Sequence, residues 1–226
     1  SIPKDAALVF VGDVDQLPSV GAGRVLADVI ESETIPVGKL THVFRQAAKS
    51  NITQAAHAIK EGQVPTQRGG DFASIKVDGA EAAADTLVDL VVNKLPARGW
   101  DPIHDIQVLA PMHRGETGVQ QLNKRLQEEL NGDAAPRLKA MGTSFGPGDR
   151  VLVTKNDHEK GISNGDVGFV DHVDERNEIL TVKFEDGEDK PEREVEFNPD
   201  ALQNLTLAYA ITPHKAQGSQ YPVVAM

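Results

Sequence analysis

Between Phe145 and Phe197 the chain changes its period. The segments "DRVLVTK" (149–155), "DVGFVDHV" (166–173), "EILTVKFE" (178–185) and "REVEF" (193–197) alternate apolar and polar residues, and Gly, Asn and Asp turns separate them. Alternation at every second residue sets one face of each segment against a core, as a half-buried β-strand requires. No helical stretch lies between them. Short strands in close succession predict a small antiparallel barrel over residues 144–200.

On both sides of this segment the pattern is one of strands alternating with helices. "ALVFVG" (7–12), "VGKLTHVF" (37–44), "FASIKV" (72–77) and "DIQVLAP" (105–111) read as strands. "GRVLADVIES" (23–32), the stretch from Ser50 to Gly62, "AEAAADTLVDLVVNKL" (80–95) and "TGVQQLNKRLQEELN" (117–131) carry apolar residues at helical spacing. Ser50 serves as an N-cap, and Gly62, Pro96 and Gly132 as stops. Beyond the β-rich segment, "LTLAYAI" (205–211) returns to a buried apolar strand. The expected fold is α/β, a parallel-sheet domain interrupted by a small antiparallel barrel.

Composition removes several classes. Hydrophobic residues make up 39% and charged residues 25%, enough for a packed core and against wholesale disorder. There is no cysteine, which excludes a disulfide framework and thiolate metal sites and fits a reducing, cytoplasmic compartment. No apolar run approaches the ~18 residues of a membrane span, and "SIPKDAALVF" does not read as a signal peptide. The chain lacks a starting Met and stops on "YPVVAM", so both ends read as cuts. A net charge of −11 argues against a nucleic-acid partner until its distribution is considered. Residues 144–200 hold 7 Lys/Arg against 16 Asp/Glu, a net of −9, and the remainder carries only −2. The acidity belongs to the insert, which leaves room for a basic groove elsewhere.

Five clusters could carry chemistry. After the first strand come Gly12, Asp13, Asp15 and Gln16, where open α/β sheets collect ligands. The Gln16 amide can bond a phosphate oxygen or an ordered water. A strand-to-helix turn with solvated acids explains the same residues, and spacing leaves both readings open. Arg45 follows the apolar strand 37–44, and its guanidinium suits bidentate phosphate contact as well as an ordinary surface position. In "LAPMHRGETGVQQLN" (109–123) a strand end leads to His113, Arg114 and a helix start, an arrangement that binds phosphates readily. No paired carboxylate or metal-spaced histidine accompanies it, which disfavours a metallohydrolase. In "LAYAITPHKAQGSQYPVV" (207–224), Thr212, His214, Lys215, Gln217, Gly218, Ser219 and Gln220 form a phosphate-backbone site or a polar loop. No Ser-His-Asp arrangement is present. "SNGDVGFV" (163–170) is first a hairpin turn and only second a nucleic-acid contact.

In order along the chain, "VGDVDQLPSVGAGRVLADVI", "LTHVFRQAAKSNITQAAHAI", "VLAPMHRGETGVQQLN", "GDRVLVTKNDHEKGISNGDVG" and "LAYAITPHKAQGSQYP" resemble the motifs of RecD-type superfamily 1 DNA helicases. These are the exodeoxyribonuclease V alpha chain and its stand-alone relatives. The resemblance runs from about Ala6 to the last residue. It implies residues 1–35 as the end of a first RecA-like motor domain, 36–143 and 201–226 as a second, and 144–200 as an inserted SH3-like barrel. It implies ATP and Mg²⁺ between the motor domains, single-stranded DNA across them, and 5′–3′ translocation. Gln16 and Arg45 would be catalytic, sensing and reaching the γ-phosphate. Asp13, Gln16, Arg45, Gly218 and Gln220 would contact the nucleotide. Arg114, Asn123, Asn164, Thr212, His214 and Lys215 would contact DNA. No metal ligand is implied within these residues.

The phosphate loop and the Mg²⁺-binding acidic motif are expected upstream of Ser1, and a last arginine motif downstream of Met226. The chain by itself is therefore expected to be inactive and to hold no nucleotide tightly. Two departures from the family pattern stand out: Gly-Ser-Gln at 218–220 in place of Gly-Ser-Glu, and Pro213 in place of an aliphatic residue. Expected partners are single-stranded DNA, ATP, the rest of the first motor domain and other subunits of an exonuclease V-like complex, with no membrane. Two alternatives remain: the helicase half of a conjugative relaxase, marked by an upstream His-cluster nuclease, and a motor-derived binding module without hydrolysis. A phosphate loop upstream of Ser1 would exclude the latter.

Overall fold

The computed structural model describes residues 3, 5–18, 21–40, 50–66, 69–184 and 193–226. The chain divides into two compact units, Ser1–Lys76 and Val77–Met226.

The first unit contains helix α1 (Val25–Glu31) and helix α2 (Asn51–Lys60). Both lie where the apolar spacing predicts. Ser50 caps α2 as its sequence position requires, its side chain accepting from the Thr53 amide at 3.2 Å. The expected strand 7–12 does not form: the residues have no ladder partner, and Leu8, Val9, Phe10 and Val11 are all exposed. A parallel strand is held by its neighbours, and among the described residues of this unit no strand is available to pair with it. The same correction applies to 72–77, where only an isolated Gly69–Phe72 bridge appears. Of 37–44, residues 37–40 are not a strand and the rest lies outside the described residues.

The second unit opens with helix α3 (Ala80–Asp89), which runs on into a π turn at Leu90–Lys94 and a 3₁₀ turn at Pro96–Arg98. A three-stranded parallel sheet has β1 (Ile106–Leu109) at its centre, flanked by β9 (Ala210–Ile211) and β10 (Val223–Ala225). Helix α4 (Val119–Asn131) buries Leu122 and Leu126 in the same core as Val88, Val91, Ile106 and Val108. The hairpin β2 (Leu138–Ala140) and β3 (Thr143–Phe145) leads to the period-two segment.

That segment forms an antiparallel sheet as expected: β4 (Arg150–Val153), β5 (Val167–Asp174), β6 (Ile179–Phe184) and β7 (Arg193–Phe197), followed by the short helix α5 (Pro199–Leu202). Burial alternates along β6, with Leu180, Val182 and Phe184 inward. Gly168 in β5 faces β6 so closely that a Cβ would lie 2.6 Å from the Lys183 carbonyl, so only glycine fits. The sheet continues past residue 200. Leu205–Leu207 forms β8 against β4, giving the order β7-β6-β5-β4-β8.

The single strand expected over 205–211 is thus two strands in two sheets. At Ala208 and Tyr209 the chain leaves the antiparallel sheet and enters the parallel one. Backbone groups at such a crossing lose regular ladder partners and must be satisfied otherwise. Backbone and side chains share this here: the Ala208 amide donates to the Arg150 carbonyl at 2.8 Å and the Val108 amide to the Tyr209 carbonyl at 3.3 Å. The buried Gln107 amide nitrogen donates to the carbonyls of Ala208 (3.3 Å) and Tyr209 (3.2 Å). Asn123 donates to the carbonyls of Leu207 (3.1 Å) and Ala210 (2.9 Å) and accepts from the Ala210 amide at 2.8 Å.

Candidate functional site

Parallel strands β1 and β9 end side by side, tied by the Ala110 amide donating to the Ile211 carbonyl at 3.0 Å. Two polar loops therefore leave the same carboxyl edge of the sheet, the position where α/β proteins bind ligands. The first is Pro111–Gly118. It folds back onto the start of α4: the Val119 amide donates to the Met112 carbonyl at 2.9 Å and the Gln120 amide to His113 at 3.2 Å. Gly118 sits against the Arg114 backbone, where a Cβ would be 2.5 Å from the Arg114 carbonyl. Arg114 is exposed by this turn and lines a shallow cleft of about 240 Å³ with Gln120 and Gln121.

The second loop is Thr212–Tyr221. Its only helix, α6 (Pro213–Ala216), is a single turn beginning after Thr212. His214 is exposed, and Lys215 Nζ donates to the Asn164 side-chain oxygen. Among the described residues Lys215 pairs with no carboxylate. Asn164 is the tip of the turn between β4 and β5. That turn is fixed by bonds from the Asn164 amide to Asn156 Oδ1 (2.7 Å) and from the Gly165 amide to the Val153 carbonyl (2.9 Å). The tip of the insert's turn thus meets the loop that carries Thr212, His214 and Lys215. Gly218, at φ +87°, and Gln220 follow on the exposed part of the same loop.

The other candidates belong to the first unit. Asp13 Oδ1 accepts from the Asp15 amide at 2.9 Å, and Gln16 Nε2 donates to Asp13 Oδ2 at 3.4 Å, an acid-closed turn that leaves the Gln16 side chain exposed. Lys60 at the end of α2 pairs with Asp15, and that hydrogen bond raises the Lys60 pKa. Arg45 lies outside the described residues. Among the described residues no group of three His, Asp or Glu side chains could hold a metal ion.

Asn123 is a correction. It is 5% exposed, and its amide already makes three backbone bonds, so it has no group left for DNA. Its position could be read from the sequence, because it lies four residues after Val119 on the apolar stripe with Leu122 and Leu126.

Sequence reasoning passed over Asp149 and Arg150. Asp149 is fully buried and accepts from Gln127 (2.6 Å), Asn131 (2.7 Å), the Gly146 amide (2.8 Å) and the Tyr209 hydroxyl (2.8 Å). Burial, and then the Asp149 charge, push the Tyr209 phenol above its ordinary pKa. Arg150 donates to the carbonyls of Ile103 (3.0 Å) and Ile106 (3.1 Å), and burial lowers its pKa. The signal for both was "GDR", a charged pair at the mouth of an otherwise apolar strand.

Residues 122–184 match the family described as the ATP-dependent RecD-like DNA helicase SH3 domain. Over 99% of its length the chain is 39% identical to the ATP-dependent RecD2 DNA helicase of Deinococcus radiodurans. The chain is RecD-like. Residues 1–77 of this RecD-like chain match an AAA domain. The RecBCD enzyme subunit RecD of Mycolicibacterium smegmatis is 29% identical over 94% of the chain. A Bacteroides Pif1 helicase solved with ADP-AlF3 and single-stranded DNA aligns over 94% of the chain and 54% of its own, at 20% identity and a TM-score of 0.52. That likeness speaks to the fold, which is RecA-like with an SH3-type insert. The RecD-like chain spans 29% of the Deinococcus relative and 38% of the Mycolicibacterium one.

Proposed function

We propose that the chain is part of an ATP-dependent DNA helicase of RecD type that moves 5′ to 3′ on single-stranded DNA. The observation that carries this reading is the shared sheet edge. Arg114 on one loop and Thr212, His214 and Lys215 on the next leave neighbouring parallel strands, with Asn164 of the antiparallel sheet joined to Lys215. A guanidinium, an ammonium and a hydroxyl set along one edge suit a phosphodiester backbone. Such contacts hold a strand in register without reading its bases. The acidic charge of the insert repels a polyanion, so its contact with DNA would come from the neutral turn at Asn164.

Bound ATP with Mg²⁺ would supply the phosphoryl transfer that drives movement. The chain carries candidates for contacts to the nucleotide and not the cradle that holds its phosphates. No Gly-x-x-x-x-Gly-Lys-[Ser/Thr] segment occurs in the 226 residues, so the backbone N–H nest that holds phosphates is not among them. Gln16, with Asp13 orienting its amide, would report the γ-phosphate, Arg45 would stabilise charge on it, and Gly218 to Gln220 would lie beside the nucleotide. The protein would work in the cytoplasm, alone or with other subunits of a nuclease complex.

The test is a steady-state ATPase assay with and without oligothymidylate. The intact protein should be stimulated by DNA, and Arg45→Ala should lose the activity by about 10³-fold or more. Arg114→Ala should weaken binding to unrelated oligonucleotides about equally, with affinity falling as salt rises. DNA-stimulated turnover by the 226-residue chain itself would overturn the division of labour proposed here, and a strong base preference would overturn the backbone-binding edge.

A further inference from the structure

The loop that carries Thr212, Lys215, Gly218 and Gln220 leaves the parallel sheet at β9 and rejoins it at β10. Its helix is a single turn, too short to be stable on its own. Between those points the antiparallel sheet supplies a second set of contacts. A small core separate from the main one is built on Leu152 of β4 with Ala208 and Ile211. Val167 of β5 and Leu109 of β1 pack against it, as do Ala216 from the middle of the loop and Tyr221 from its far end. Polar contacts repeat the pattern. Asn164 accepts from Lys215 near the start of the loop. Arg150 of β4, 4% exposed, lies with its guanidinium carbon 5.6 Å from the centre of the Tyr221 ring and 5.9 Å from that of Phe169. The carbonyls of Ile103 and Ile106 hold it there. A desolvated arginine over an aromatic face is a directional attachment, stronger than the same contact in water.

The insert thus touches the loop at its helical turn, through Lys215 and Ala216, and at its far end, through Tyr221. One end bears the groups assigned to DNA. The other, at Tyr221, adjoins the residues assigned to the nucleotide. We propose that the antiparallel sheet braces this loop, with Arg150 as a positioning residue acting through Tyr221, so that nucleotide binding at one end is transmitted to DNA binding at the other. This rests on the helicase reading of the same loop. Neither Arg150 nor Tyr221 is asked to touch a ligand. Each fixes the angle at which the loop crosses the sheet edge, which decides whether ordering one end orders the other. Coupling of this kind is reciprocal: the factor by which nucleotide changes DNA affinity equals the factor by which DNA changes nucleotide affinity.

The experiment measures that factor in the intact protein. The dissociation constant for a fluorescent oligothymidylate is determined with and without a non-hydrolysable ATP analogue, and the nucleotide constant with and without the oligonucleotide. The parent should show a coupling factor of about 5–150 in both directions. Arg150→Met and Tyr221→Leu should bring the factor close to 1, with each affinity measured alone changing far less. Tyr221→Phe keeps the aromatic face and should restore the parent factor, a rescue that general loosening of the fold would not produce. The Tyr221 pair leaves Arg150 and its buried bonds in place, so it decides the matter if Arg150→Met fails to fold. A parent factor retained in Tyr221→Leu overturns the brace and leaves the helicase reading intact. A parent that binds DNA without any response to nucleotide also overturns the brace, while the helicase reading stands or falls on its own ATPase assay.

Discussion

Residues Leu8–Val11 and Ile106–Leu109 read almost alike as sequence, and they end in different places. Leu8, Val9, Phe10 and Val11 are 58, 77, 52 and 92% exposed, whereas Ile106, Gln107 and Val108 are 2, 0 and 1% exposed. Both runs have the β-branched and apolar character of a parallel strand, and both precede a polar turn. The difference is neighbours. Strand β1 has β9 on one side and β10 on the other. The earlier run has no strand beside it among the described residues. Strand propensity is a statement about fitting a pleated, half-covered surface, and it is realised only where that surface exists. The same contrast runs through the two units. In the first, order rests on exposed or half-exposed devices: the Ser50 cap, the Asp13 turn and the Lys60–Asp15 pair at the surface. In the second, buried side chains tie segments distant in sequence, as Asp149 does for Gln127, Asn131 and Tyr209.

The sharpest way to break this contrast is at Asp149. Asp149→Ala leaves four donors, two buried and two partly buried, without their acceptor and removes the carboxylate from Arg137, 3.7 Å away. Breaking such a buried charged network costs about 3–5 kcal/mol. Urea denaturation of the chain should show that loss in the transition of the second unit. A loss below about 1 kcal/mol would mean that the network is replaced by water at little expense. Next come paired truncations in the two strand-like runs. Ile106→Ala should lose about 2–5 kcal/mol through the cavity it leaves. Val9→Ala should change stability by less than about 0.5 kcal/mol, as an exposed site does. Equal effects at the two positions would show that the first run is buried in solution and erase the contrast.

Local signals were legible in the sequence. The cap at Ser50, the stripe of α4, and the period-two strands from Arg150 to Phe197 can be read from a few consecutive residues, and the structure has them in place. What could not be read depends on which segments meet. "LTLAYAI" has one continuous apolar pattern, and nothing within it says that Ala208 and Tyr209 are the crossing between two sheets. The apolar stripe of α4 marks Asn123 as buried, but the carbonyls that it and Gln107 serve appear only with the crossing. For the candidate site, the loops after β1 and β9 were visible as motifs. Their meeting on one edge follows from the parallel pairing of β1 with β9, and the join of Asn164 to Lys215 from the folding of the insert over that edge.

Tyr209 sharpens the contrast from the side of pH. Its hydroxyl donates to Asp149 at 2.8 Å, and burial keeps the phenol protonated above its ordinary range. In the unfolded chain tyrosine ionises near pH 10. A group whose folded pKa is raised contributes stability that is intact below the unfolded value and lost as pH climbs above it. Stability should therefore fall from about pH 10 upward, and Tyr209→Phe should flatten that fall. Near neutral pH the same variant should lose about 1.5–3 kcal/mol, the usual worth of a hydrogen bond to a charged group. A spectrophotometric titration in which both Tyr209 and Tyr221 ionise at the ordinary value would contradict the buried bond.

Apart from the Val9→Ala control, the smallest expected loss belongs to the first unit. Ser50 accepts from the Thr53 amide, and Asp71 accepts from the Asn51 amide at 2.8 Å, so the start of α2 has two side-chain acceptors for its free N–H groups. Ser50→Ala removes one and should cost about 1 kcal/mol, because Asp71 remains to hold the next amide. The location of the loss matters more than its size. A local device should fail locally: amide exchange should speed up over Asn51–Lys60, with the amides of β1 and β4 unchanged. An Asp149→Ala exchange map should look different, with protection falling together in α4, β4 and around Tyr209, because one carboxylate serves all three. If Ser50→Ala instead loosened β1 as well, the two units would share one cooperative transition, and the exposed run at Leu8–Val11 would have to be explained without appeal to a separate, locally held unit.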